Sequence, residues 1–283
     1  MSNLASFADY TKVCFVTTFL FCVGIIISSS EYLAIRNEFT EEGVYSWRIF
    51  SSKPSYLNSV LGLQRMGFLF QYRSVVSIHV ARIICCVALP FVDDRLPKAL
   101  LISVVALSSL ILSFRNIAGN DGSDQMNSVI CIALFAAYIS ADAFIMRAAL
   151  VFIASQSVLA YVVAGVAKMF SPKWRNGLAV YQIMNTQTYG HEGVARYLAK
   201  TPKAFNCLLC WNVMLFESLF FLVLFVPAPY FVVFLVWGVA FHIYNAGTMG
   251  LNNFLWAFVS TYPAITFLNQ LIHKVNCGIA IKG

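Results

Sequence analysis

Five ionisable residues stand inside runs that are otherwise apolar: His79, Arg82, Lys168, Glu217 and His242. Such a group at bilayer depth costs about 3 kcal/mol or more unless it is paired or wetted, which makes each one a candidate for function. His79 and Arg82 are three apart and project from one helical face. Glu217 is the most costly of the five. It has to be protonated, ion-paired with Arg82 or Lys168, or hydrogen-bonded to His242. A clamp between helices and a polar substrate or proton site both meet that requirement. Lys168 lies close to the end of its run, where a long side chain can also snorkel to the head groups. Cys207-Leu208-Leu209-Cys210 has the spacing of a redox pair, but its apolar middle points to core packing. No metal site is expected, since no two histidines are four apart and the carboxylate beside His191, Glu192, is in a loop. No phosphate-cradling loop and no G-x-S-x-G elbow occurs.

These residues are positioned by a chain built for lipid. Of its 283 residues 60% are hydrophobic, 15% aromatic and only 11% charged. Soluble domains carry about 25% charged residues, so a water-facing exterior cannot be assembled from this composition. The fold class expected is all-α, a polytopic integral membrane helix bundle of about eight spans of roughly 20 residues. The formal charge of +7 lies mainly in loops and reads as orientation and head-group contact with membrane lipids, not as nucleic-acid binding. Among the eight cysteines, Cys14, Cys22, Cys85, Cys86 and Cys131 fall in apolar runs and behave as small hydrophobes.

Apolar runs place spans at Val13–Ser29, Ser74–Phe91, Leu96–Phe114, Gln125–Ser140, Phe144–Phe170, Phe205–Val226, Tyr230–Gly250 and Leu251–Ile272. The first is read as a retained span, because no A-x-A cleavage site follows it. Residues 1–283 read as a single transmembrane domain with polar connections near 37–73 and 171–204. Within the first connection, Tyr56 to Phe70 has the spacing of an interfacial helix. Gly119-Asn120 and Asp121-Gly122 are turn signals, and Pro227-Ala228-Pro229 makes a tight hairpin. Lysine and arginine concentrate in the long odd-numbered loops, which the positive-inside rule places in the cytoplasm.

The stretch Tyr161-Val-Val-Ala164-Gly165-Val-Ala-Lys168-Met-Phe-Ser-Pro-Lys-Trp174-Arg-Asn-Gly177 resembles a signature of the horizontally transferred transmembrane (HTTM) family. That family is related to the membrane domain of vitamin K-dependent gamma-carboxylase. Gly122-Ser123-Asp124-Gln125-Met126 and the stretch from Phe241-His242 through Met249-Gly250-Leu251 to Phe254 are similar to the family as well. The resemblance runs from about residue 56 onward. It implies that Lys168 is the base that deprotonates a lipid-soluble quinol in a membrane pocket. A lysine near a helix end in low dielectric is chemically suited to that role. It also implies the sidedness opposite to that given by the charged loops. Two departures bear on the chemistry. Trp174 is one residue further from Lys168 than in the carboxylases, and the place of their partner histidine reads Asp124-Gln125-Met126. No large extramembrane domain accompanies the spans, so full gamma-carboxylation is not expected.

Size and architecture resemble short bacterial members of the sporulation-delaying-protein B type. The first functional expectation is therefore a multi-pass protein of the bacterial cytoplasmic membrane that matures an exported, toxin-type peptide. Its partners would be the peptide precursor and a small accessory protein. Its site would centre on Lys168, Glu217 and His242, with His79, Arg82, Gly165, Trp174, Asp124 and Gln125 shaping the substrate pocket. The second is an enzyme acting on a lipid-soluble quinol, carboxylase- or oxygenase-like, with Lys168 as base. The third is a noncatalytic helper or immunity protein.

Overall fold

The structure is a computed structural model that describes residues 9–51, 67–115, 121–140 and 142–276. Helices carry it throughout, and no strand occurs among the described residues. This is what a bilayer demands, since helices satisfy every backbone group internally. Among the described residues, six helices are long and apolar enough to cross a membrane. They are α1 (Tyr10–Ala34), α3 (Tyr72–Ala88, continued by a 3-10 turn to Phe91), α4 (Arg95–Arg115), α6 (Ala143–Phe170), α10 (Lys203–Leu219, continued by a 3-10 turn to Leu224) and α11 (Phe231–Met249). The polytopic all-α bundle is thus present.

Two of the eight expected spans take a different form. The fourth, α5, covers Gly122–Ile139 but opens on a polar turn, which keeps it out of the apolar class. Its Asp121 is an N-cap that accepts from the backbone N–H groups of Ser123 (2.9 Å) and Asp124 (3.1 Å). Asp121-Gly122 is therefore a helix start and not a loop turn. The eighth is broken into α12 (Asn252–Val259) and α13 (Tyr262–Asn276) at Ser260-Thr261. The Thr261 hydroxyl lies 2.7 Å from the Phe258 carbonyl and 2.8 Å from Ser157 Oγ, so the break is hydrogen-bonded within the fold.

The connection at 171–204 is folded rather than open: α7 (Pro172–Arg175), α8 (Ala179–Met184) and α9 (Glu192–Lys200). Met184, Ala195 and Leu198 form a small core beneath it. In the connection at 37–73, the described parts are a 3-10 turn at Arg36–Phe39, the short α2 (Trp47–Ser51) and a 3-10 turn at Gly67–Phe70. The expected interfacial helix falls mostly on residues 56–66, and the Gly119-Asn120 turn likewise lies outside the described residues.

The chain divides into two compact units, residues 18–149 and residues 1–17 with 150–283. In the first, Arg115 is fully buried. It donates from Nε to the Phe70 carbonyl (3.1 Å) and from Nη2 to the Tyr45 carbonyl (2.5 Å), with its guanidinium over the Phe39 ring. In the second, the buried Asn269 of α13 donates to the carbonyls of Val223 (2.8 Å) and Val226 (2.9 Å). These carbonyls end the α10 segment and would otherwise be orphaned in the apolar interior.

Candidate intramembrane cavity

On α6, Tyr161, Ala164, Gly165 and Lys168 follow i, i+3, i+4, i+7 and so share one face. Gly165 decides what that face meets. A Cβ there would collide with the backbone nitrogen of Ser218 and the carbonyl carbon of Glu217, so α6 and α10 touch backbone to backbone. Small residues permit such an approach between membrane helices. The approach sets Glu217 against Lys168 one turn further along: Lys168 Nζ donates to Glu217 Oε2 at 2.5 Å. The two side chains are unequal, 23% exposed for Lys168 and 6% for Glu217. The Lys168 ammonium also stands 5.4 Å from the centre of the Trp174 ring, a cation–π contact. Lys168 is the partner that Glu217 takes, in preference to Arg82 or His242.

One turn or more toward the start of α6, the buried Tyr161 hydroxyl joins two further groups. It is 2.6 Å from His242 Nε2 and 2.8 Å from the Tyr262 hydroxyl. The Tyr161 ring stacks on Phe220 and meets Phe258 edge-on, while His242 stacks on Phe258. Gly238 makes room for this chain, because a Cβ at that position would strike the Tyr262 hydroxyl. Three hydroxyl and imidazole groups in line form a path along which a proton can be handed on, with Tyr161 donating to one neighbour and accepting from the other.

The ion pair and His242 open onto one cavity of about 510 Å³, within the range that holds a small organic ligand. Ala160, Tyr161, Ala164 and Lys168 of α6 form one wall, with Trp174 of α7 and Met184 of α8 beside them. Leu209, Asn212, Val213 and Glu217 of α10 face Trp237, Ala240, Phe241, His242, Tyr244, Asn245 and Met249 of α11. Phe254 and Phe258 of α12 close it. Trp237, Ala240 and Tyr244 line the cavity and are exposed, so its α11 wall is left partly uncovered. Ala240 is at the middle of α11, a helix long and apolar enough to cross a membrane.

The cavity therefore gathers Lys168, Glu217, His242 and Trp174, with Gly165 setting the spacing of its walls. The other expected pocket residues belong to the unit of residues 18–149 and are not among its lining. His79 is buried against Tyr32, their rings 4.9 Å apart. Arg82 is buried with Tyr32 and Asp124 in electrostatic reach, and its Nε has no hydrogen-bond partner among the described residues. Asp124 closes the capping box of α5, accepting from the Asp121 backbone N–H, and Gln125 is exposed. Cys207 and Cys210 are free thiols; Cys210 is fully buried, and Cys207 packs closely on Gly177, which holds a left-handed φ of 78°. Cys210 is thus accounted for by its burial and Cys207 by that contact.

Sequence reasoning missed Tyr262, Asn212 and Asn245, and it quoted Tyr161 only as part of a motif. Asn212 and Asn245 had a signal of their own, as amides inside apolar runs near Glu217 and His242. Tyr262 had none, being one tyrosine among 13. Set against family models, curated proteins and solved structures, the chain matches none of them.

Proposed function

We propose that the protein takes a lipid-soluble, ring-bearing hydroxyl compound of the quinol type from the bilayer and removes its hydroxyl proton at the Lys168–Glu217 pair. The observation that carries this reading is a mostly apolar cavity walled by membrane-length helices that holds one ion pair on its wall. A strongly polar substrate gains little from such a wall. An acidic hydroxyl, by contrast, gains from finding a proton acceptor and a cation side by side.

On this proposal the labour is divided differently from what the family resemblance implies. In the Lys168–Glu217 pair the lysine serves as the cation and the Glu217 carboxylate as the proton acceptor. The ligand's O–H bond breaks, the proton forms a new O–H bond on Glu217, and the ligand oxyanion stays beside the Lys168 ammonium. Trp174 covers the ammonium from the side of the polar connection, and the surrounding apolar wall keeps water from competing. His242, Tyr161 and Tyr262 provide a second proton path within the same unit.

The resemblance supplies the physiological setting: a bacterial cytoplasmic membrane and the maturation of an exported peptide. A gene for a small secreted precursor beside this one, with its mature product lost on Glu217→Gln, is the expected outcome. The binding step itself is tested with a prenylated 1-naphthol in detergent micelles. Trp174 and Trp237 line the cavity, so binding should quench tryptophan fluorescence saturably. Ala240→Trp adds bulk to the cavity lining and should abolish saturable quenching at unchanged expression. Equal quenching in both proteins would mean that the probe does not enter this cavity.

A further inference from the structure

Two carboxamides face the cavity with no hydrogen-bonded partner. Asn212 on α10 and Asn245 on α11 both line it, and neither side chain makes a hydrogen bond among the described residues. Asn212 is exposed and Asn245 half-buried, so both amides keep their donors and acceptors open to whatever fills the cavity.

Helix register brings the two to one level. Phe216 meets Trp237 and Phe241, while Leu209 and Met249 pack on the same small core around Met184. The helices are thus antiparallel, and Asn212 and Asn245 fall opposite each other between these two contacts. Glu217 is five residues beyond Asn212, a rise of about 7.5 Å along the helix. The cavity has a charged station at Lys168–Glu217 and, about a turn and a half away, a neutral one. Met184, Leu209 and Met249 bound it on the far side.

We infer that Asn212 and Asn245 form a second, uncharged polar subsite that holds a neutral oxygen of the ligand whose acidic hydroxyl lies at Lys168–Glu217. This rests on the reading proposed above and adds the ligand's second polar group to it. A carboxamide offers both a donor and an acceptor, so the pair suits a hydroxyl or a carbonyl and gives an ionised group nothing in particular. A ring with oxygens at opposite ends spans the two stations, and a singly hydroxylated ring leaves the amides unmade. Sites built to bond a polar group reject the analogue that lacks it, because the site's own groups then stay unpaired.

The test compares two probes with the same prenyl tail, a 1,4-naphthoquinol kept anaerobic and a 1-naphthol, each titrated by tryptophan quenching. Wild type should bind the quinol about tenfold more tightly than the naphthol. The double substitution Asn212→Leu with Asn245→Leu conserves volume and removes the amides from apolar surroundings, so folding should survive. It should erase the quinol's advantage over the naphthol. A quinol advantage that persists in the double variant overturns the inference. So does an equal loss for both probes, which would mark the amides as structural. A wild type that binds both probes equally overturns it while leaving the base reading standing. A wild type that binds neither overturns both.

Discussion

Removing Glu217 alone should cost far more than removing it together with Lys168. The Glu217 carboxylate is 6% exposed and has the Lys168 ammonium 2.5 Å away. Breaking a buried pair by deleting one member costs about 3–5 kcal/mol, because the other charge is left uncompensated. That range is an upper bound here. The Lys168 side chain is 23% exposed and lies against the Trp174 ring, a contact worth about 0.5–1 kcal/mol. We therefore expect about 2–3 kcal/mol for Glu217→Leu. Lys168→Met should cost less, since the stranded carboxyl can neutralise itself by taking a proton. The double variant should lie within about 1 kcal/mol of wild type, because hydrophobic replacement of a whole buried pair is often neutral. Unfolding free energies of the four proteins, measured in one detergent, give the coupling directly. Additive effects would refute the pairing that organises the site.

Gly165→Val should push α6 and α10 apart at Ser218, at a cost of about 1–3 kcal/mol, and weaken probe binding with Lys168 and Glu217 both intact; unchanged affinity and stability would contradict the close approach. Asn269→Leu should destabilise by about 1–3 kcal/mol, since it strips the Val223 and Val226 carbonyls of their donor, and thermal unfolding would report it. Reporter fusions at Gly119 and Asp142 should show opposite sides of the membrane if α5 crosses it, and equal signals if it lies flat.

How far the sequence reveals this molecule depends on how costly each feature is. Charged residues in apolar runs are expensive, so Lys168, Glu217 and His242 stand out from composition alone. Which of them pair is not so visible. His79 and Arg82 do share a helical face, but the partner of Glu217 is chosen by Gly165, whose missing Cβ lets α6 reach α10. The long apolar runs give six membrane-length helices directly. The run from Leu251 to Ile272 hides its break, because Ser260 and Thr261 are small and satisfied inside the fold. Tyr262 was hidden with it. Neutral amides cost less than charges and attract less notice, which is why Asn212 and Asn245 emerge only when the cavity is seen.

The central claim is that the ion pair removes a ligand proton, with Glu217 as acceptor and Lys168 as the cation beside it. Naphtholate absorbs at longer wavelength than naphthol, so a difference spectrum of the bound probe reads the transfer. At a pH well below that at which the free probe ionises, wild type should show the naphtholate band. Lys168→Arg keeps a cation that cannot act as a base and should retain the band in part. Glu217→Gln should lose it while still binding the probe. A band that survives Glu217→Gln and vanishes in Lys168→Arg would contradict the account and return the base to the lysine.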